Sequence, residues 1–254
     1  MMLEVRDLSY SYRGRADGSG WQLTGVSLAV PAGSSVGIVG ESGSGKSTLV
    51  RILCGLQDLQ RGDVRFEGEP LQDWLSRRAR EFRMKCQIVF QDPASSFDPR
   101  LRLRTSLAEP LKSLARRSPS AEEMEGWLEE VGLPPAMMDR YPHQLSGGQL
   151  QRMAIARALS VSPEILYADE PTSSLDVSVQ AQVLNLLREL RRTRNLTLVL
   201  VSHDLAVVSH LCDSVVVMRD GRVEEAGLTG NVLSEPKTSY TRELVGAAAA
   251  SSLA

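Results

Sequence analysis

The sequence predicts an α/β fold: a core with a parallel sheet, antiparallel strands ahead of it, and a helical block inserted into it. Three observations carry this. Val36-Gly-Ile-Val39 and Thr197-Leu-Val-Leu-Val201 are short, unbroken apolar runs, the pattern of parallel strands buried on both faces. Such runs alternate with helix-spaced stretches, as strand–helix–strand units do. Residues of about 92–160 have a different texture, mostly helical and opened by a turn rich in Asp, Pro and Ser.

Taken in order, the N-terminal segment reads as antiparallel strands. Leu3, Val5 and Asp7 alternate with Glu4 and Arg6, and Val26, Leu28 and Val30 with Ser27 and Ala29. Arg13 to Gly20 lies between them as a surface turn. After the Val36–Val39 strand, Lys46 to Leu56 reads as a helix with Leu49, Ile52 and Leu53 on one face. Cys86 to Phe90 is strand-like. Ala121 to Val131 has helical charge spacing, and Pro134-Pro135 breaks it. Glu164 to Ala168 resumes the strand–helix alternation. Val179, Val183, Leu186, Leu187 and Leu190 form one helical stripe, and Arg188, Arg191, Arg192 and Arg194 are expected as a solvated face. A further helix begins near Leu205. These elements suggest one domain over residues 1–230, with the helical subdomain at about 92–160 inside it, and a short tail over 231–254. Ala247 to Ala254 are expected to fray.

Composition narrows the function. The chain has 254 residues, 29 Lys and Arg against 31 Asp and Glu, and a formal charge of −2. A protein that grips a polyanion is usually basic, so no nucleic acid is expected as partner. No apolar run approaches the roughly 18 residues of a membrane span, and the start lacks a signal peptide's pattern. The three cysteines and three histidines are dispersed, so reduced core thiols are expected, and any bound metal should be a hard ion on oxygens.

Gly40-Glu-Ser-Gly-Ser-Gly45-Lys46-Ser47 fits G-x-x-x-x-G-K-[ST], with a strand before it and a helix after it. Phosphate needs many donors on a concave backbone. The glycines Gly40, Gly43 and Gly45 leave N–H groups uncovered around Ser42, and the helix N-terminus adds positive potential. Lys46 suits the β- and γ-phosphates, and the Ser47 hydroxyl suits Mg²⁺. Hydrolysis further needs a carboxylate near the metal and a group that activates water. Asp169 and Glu170 end an apolar strand, where α/β sheets bind ligands. Neighbours on a strand point to opposite sides, which gives Asp169 to Mg²⁺ and Glu170 to the role of base. His203 and Gln91 also end strand-like runs. Either residue alone carries little signal, and a lone histidine there is usually structural.

Leu145-Ser146-Gly147-Gly148-Gln149 is a second Ser/Gly turn at a helix start, hence a second candidate anion cradle. With it the set becomes specific. The phosphate loop at 40–48, Gln91, the LSGGQ at 145–149, Asp169-Glu170, Ser174-Leu175-Asp176 and His203, in that order, resemble the nucleotide-binding subunit of ATP-binding cassette (ABC) transporters over nearly the whole chain. The resemblance implies a P-loop NTPase core with an N-terminal antiparallel β subdomain and an inserted α-helical subdomain, and ATP and Mg²⁺ as cofactors. It implies a head-to-tail pair, with each ATP between one chain's phosphate loop, Thr48 included, and the other's Ser146, Gly147, Gly148 and Gln149. Tyr12 matches the adenine-stacking aromatic; Tyr10, or a plain strand tyrosine, is the alternative. Gln91 would sense Mg²⁺ and the γ-phosphate, His203 would hold that phosphate, and Asp176 would couple the two sites.

Gln91-Asp-Pro-Ala-Ser-Ser-Phe-Asp-Pro99-Arg100, Asp176 to Leu187 and Pro236 to Leu244 are similar to the peptide/nickel importer group. Phe97 and Asp98 replace its usual Leu-Asn, and Thr238 and Ser239 its usual His-Pro. The short tail favours a nickel or metallophore-type member over a peptide one. The implied partners are a second ATPase subunit, the same or different, two integral membrane permeases and a solute-binding protein. The implied place is the cytoplasmic face of the cell membrane, peripherally. A soluble, non-transport ABC ATPase is the alternative.

Overall fold

The structure, a computed structural model, describes residues 1–12 and 22–251. The turn expected at Arg13 to Gly20 falls outside them. The chain divides into two compact units, Met1–Arg78 with Thr197–Ala254, and Ala79–Leu196.

The first unit opens with β1 (Leu3–Tyr10), β2 (Leu23–Val30), β3 (Ser35–Val39), α1 (Lys46–Leu53), β4 (Arg61–Phe66), β5 (Glu69–Pro70) and α2 (Leu71–Arg77). Strands β2, β1, β4 and β5 form an antiparallel sheet in that order, with Leu3 opposite both Val30 and Phe66. The alternation expected through Asp7 breaks there. Asp7 has a φ of 51°, and the register of β1 shifts on both sides of it. This is a bulge. Gly62 of β4 faces it, where a Cβ would stand 2.7 Å from the Asp7 carbonyl oxygen.

The second unit holds α3 (Ala79–Lys85), β6 (Cys86–Val89), α4 (Leu103–Pro110), α5 (Ala121–Glu130), α6 (Gly147–Leu159), β7 (Ile165–Asp169) and α7 (Val177–Arg194). β6 and β7 are parallel neighbours, Val89 opposite Ala168. Helix α5 begins with a capping box of Ser120 and Glu123. The Arg117 guanidinium grips the same Glu123 carboxylate through two bonds of 2.9 and 2.7 Å. That guanidinium, helped by the Ser120 N–H, lowers the Glu123 pKa to about 2. The stripe on α7 is buried at Val183, Leu187 and Leu190, with Leu184 buried beside them. The arginine face is not all solvated: Arg194 pairs with Glu130 and donates to the Leu159 carbonyl. An arginine that close to an acid trades hydration for a bidentate bond.

The chain returns to the first unit with β8 (Thr197–Ser202), α8 (Leu205–Leu211), β9 (Ser214–Arg219), β10 (Arg222–Leu228), α9 (Thr229–Ser234) and α10 (Ser239–Ser251). β3 lies parallel to β8 on one side and to β9 on the other, and β10 closes antiparallel on β9. Every residue of β3 and β8 is buried, as the unbroken apolar runs predict. Asp220 and Gly221 both have positive φ, 47° and 74°, and make the two-residue turn between β9 and β10. Residues 231–251, within the stretch expected as a tail, belong to the first unit, and α10 runs to Ser251 where fraying was expected. Alanine is the strongest helix former, so Ala247 to Ala250 extend the helix. Likewise α1 ends at Leu53, short of Leu56, because Gly55 takes a φ of 66°.

Gly37 shows how closely α8 lies on β3. A Cβ there would stand 2.4 Å from Val208 Cγ1. Gly37→Ala should therefore lower unfolding stability by roughly 1–3 kcal/mol. Denaturant titration checks this, and an unchanged midpoint would mean that α8 shifts without cost.

Candidate functional site

In the first unit, β3 delivers the chain to the loop of Gly40–Gly45. Gly40, Gly43 and Gly45 have φ values of 152°, 84° and 100°, a region that L side chains rarely enter. Two of them are also crowded. A Cβ on Gly40 would stand 2.1 Å from the Met218 carbonyl oxygen, and one on Gly45 2.7 Å from Leu23 Cδ2. The turn at Asp220–Gly221 supports the loop from outside: the Gly221 N–H donates to the Ser44 carbonyl at 3.1 Å. Gln22 Nε2 donates to the Gly43 carbonyl at 3.2 Å. Neither support was read from the sequence, although Asp-Gly between two strand-like runs was a legible hairpin signal.

Lys46, the first residue of α1, is 5% exposed. Its ammonium donates to the carbonyl oxygens of Gly40 and Glu41, both at 2.7 Å, and to Ser44 Oγ at 3.4 Å. The helix starts at Gly45 with no side-chain cap and no acid in its first turn. A helix start with neither carries a positive potential of the kind that suits an anion. Thr48 is buried beside half-buried Ser47, and Ser42 and Gly43 are exposed. Thr48 Oγ1 lies 3.1 Å from the Tyr12 hydroxyl. Tyr10 is 3% exposed and Tyr12 55%, so Tyr12 is the accessible one of the two.

His203 follows β8 and is exposed. Asp204 beside it caps α8, accepting the Ala206 N–H at 2.7 Å. A cavity of about 400 Å³ opens there, between His203 and the α10 residues Leu244, Ala247 and Ala248.

In the second unit, Gln91 and Glu170 come together: Gln91 Nε2 donates to Glu170 Oε2 at 3.2 Å. Asp169 ends β7 and is 7% exposed. The expected pleat alternation does not separate the two acids. The strand stops at Asp169, and Glu170 turns away with a φ of 47°. That left-handed backbone costs a non-glycine residue about 1 kcal/mol or more. The Ser173 N–H and hydroxyl, both donating to the Glu170 carbonyl, hold the turn.

Ser146 is the N-cap of α6, with a capping box to Gln149: Ser146 Oγ accepts the Gln149 N–H at 3.3 Å, and Gln149 Oε1 accepts the Ser146 N–H at 3.0 Å. Gly148 is explained by packing, since its Cβ would stand 2.2 Å from Val179 Cγ1 of α7. Ser146 and Gly147 are exposed at the helix start. Asp176 caps α7, and the Val179 N–H, with the Ser178 hydroxyl, lowers its pKa. One contact the sequence did not suggest joins α6 to the segment after Gln91. Arg157 lies 4.4 Å over the Phe97 ring and also donates to the Ser96 carbonyl.

The sequence profile described as ABC transporter matches residues 23–173. The oligopeptide transport ATP-binding proteins OppF of Haemophilus influenzae and Escherichia coli are each 40% identical over 97% of this chain, and the match spans 78% and 77% of their lengths. The chain belongs to the ABC transporter family. Among solved structures, the ABC ATPase is similar to cbiO1 of Clostridium perfringens, part of the ABC transporter complex cbiONQ. That match has a TM-score of 0.80 at 30% identity, over 92% of this chain and 91% of that one. It is similar also to the ATP-binding cassette MJ0796 in a dimeric post-hydrolysis state bound to ADP and Pi. There the TM-score is 0.79 at 30% identity, over 90% of this chain and 99% of that one. The expected α/β class, the family and the ATP hydrolase activity stand together on these likenesses. Among the described residues, no helix is long and apolar enough to cross a membrane.

Proposed function

We propose that this ABC ATPase is the energising subunit of a peptide importer. The observation that carries its nucleotide chemistry is the buried Lys46 ammonium, held by loop oxygens at the uncapped start of α1. In this reading Lys46 keeps its bond to the Glu41 carbonyl and turns its other two N–H groups, from Gly40 and Ser44, to the β- and γ-phosphate oxygens. The N–H groups from Gly43 to Thr48 converge on the same phosphates, with Gly40, Ser42 and Gly45 shaping the turn, and the Tyr12 ring stacks on adenine. A water oxygen bonds to the γ-phosphorus, the bond to the ADP oxygen breaks, and the Glu170 carboxylate takes the water proton. The Gln91 amide, bonded to Glu170, aims that carboxylate. His203 steadies the γ-phosphate.

Ser47, Gln91 and Asp169 offer the hard oxygen donors that Mg²⁺ prefers, and the ion bound to them would neutralise phosphate charge. The exposed Ser146 and Gly147, with Gly148 and Gln149, would close on the ATP of a second subunit, head to tail, and Asp176 would couple the two sites. The dimeric state of MJ0796 supports that pairing. Two membrane permeases and a solute-binding protein complete the assembly, which places the chain peripherally at the cytoplasmic face of the membrane. The OppF names support peptide as cargo. They give no support to the nickel or metal-chelate cargo that tail length suggested, and they favour transport over a soluble role.

Lys46→Ala should weaken ATP binding roughly tenfold or more, the loss expected for a charge-assisted hydrogen bond. Isothermal titration with ATP measures it, and wild-type affinity would remove the nucleotide role from this loop. Glu170→Gln should keep ATP binding, because its lesion lies in proton transfer, and lower kcat at least roughly a hundredfold. Steady-state phosphate release decides this; a kcat within a few-fold of wild type would deny Glu170 the role of base.

A further inference from the structure

Residues 236–244, Pro-Lys-Thr-Ser-Tyr-Thr-Arg-Glu-Leu, resemble the importer group but have no part in the chemistry described so far. Within the first unit they end on the phosphate loop. The Tyr240 hydroxyl accepts the Glu41 N–H at 3.1 Å, across almost two hundred residues of chain. The Glu41 carbonyl accepts the Lys46 ammonium at 2.7 Å. One loop residue is thus held at its N–H by Tyr240 and at its carbonyl by Lys46.

Tyr240 is itself fixed. It is 4% exposed, and the Arg219 guanidinium lies 4.8 Å over its ring. Burial raises its pKa, so the phenol is neutral at pH 7. The start of α10 is pinned by Glu225 of β10. Its carboxylate accepts the N–H groups of Lys237, at 3.1 Å to each oxygen, and of Thr238 at 3.2 Å. Thr238 Oγ1 then accepts the Thr241 N–H at 3.1 Å, which caps the first turn. Burial alone would raise the Glu225 pKa, but these N–H donors and the Thr241 hydroxyl outweigh it and hold the group below its ordinary value. A rigid chain of contacts therefore runs from β10 through Tyr240 to the loop. A hydroxyl on so constrained a ring sets the Glu41 peptide at little entropic cost.

We propose that Tyr240 is a positioning residue for ATP binding, its hydroxyl fixing the Glu41 peptide and, through the Glu41 carbonyl, the place of the Lys46 ammonium. This rests on the nucleotide role proposed for the loop.

Tyr240→Phe keeps the ring and deletes only the hydroxyl. KM and kcat for ATP, the Kd of a fluorescent ATP analogue, Tm, and amide exchange at Glu41 are measured on the full chain. KM and Kd should rise about threefold to tenfold, the equilibrium worth of one hydrogen bond, while kcat stays within about twofold. Tm should hold within about 2 °C, and the Glu41 amide should exchange faster. An unchanged KM overturns the inference. So does a KM increase matched by an equal loss of kcat and a fall in Tm, which marks a merely structural tyrosine. Lys46→Ala run alongside separates the two claims. If it binds the analogue normally, the nucleotide role of the loop fails. If it is defective while Tyr240→Phe is normal, only the role of Tyr240 fails.

Discussion

Much of the first unit follows from keeping one ammonium buried. Lys46 is 5% exposed, and a charge taken from water must find oxygens on every side it can donate to. The chain supplies them from its own backbone by folding Gly40 to Ser44 back over the lysine. That path needs positive φ at three glycines and room for none of their missing side chains at two. It also needs support, because a loop of carbonyls aimed inward has few of its own hydrogen bonds. β3 fixes one end by being buried on both faces, and α1 fixes the other. The β9–β10 turn and Tyr240 hold the middle. The same arrangement that satisfies the lysine leaves the start of α1 uncapped, so stability and anion affinity are two sides of one constraint.

How much of this was legible in the sequence divides along local and non-local lines. The phosphate loop, the buried strands β3 and β8, and the start of α6 at LSGGQ depend on neighbouring residues, and pattern suffices to read them. The place of Gln91 beside Glu170 is not of that kind, since 79 residues separate them. Arg157 on Phe97 and Tyr240 on Glu41 are likewise tertiary, and single residues of those types carry no local signal. The two acids show a finer failure. A strand rule separates Asp169 from Glu170, but the strand ends between them, and a left-handed turn does the separating. At Ala247 to Ala250 small size suggests a loose end, but the helix propensity of alanine prevails and α10 continues through them.

The second cradle carries two duties. Ser146 and Gln149 cap α6, and Gly148 lets α7 approach. Those structural roles account for the residues without any ligand. What they leave over is the exposed pair Ser146 and Gly147 at a capped helix start. The proposed pairing of subunits gives that exposed pair a use, since each chain would complete the other's site. Asp176 caps α7 through the Val179 N–H, and in the proposed pairing it would couple the two sites.

Mixing two inactive variants tests that pairing most directly. Ser146→Arg leaves the phosphate loop and Tyr12 intact but puts a bulky cation where the second subunit must close. Lys46→Ala does the reverse. Each variant alone should hydrolyse no ATP. When the two are mixed in a homodimer, both lesions fall in one composite site and the other site is whole. The account predicts that ATP hydrolysis returns on mixing and that Ser146→Arg alone still binds ATP. Silence on mixing, or loss of ATP binding by the isolated Ser146→Arg chain, would contradict it.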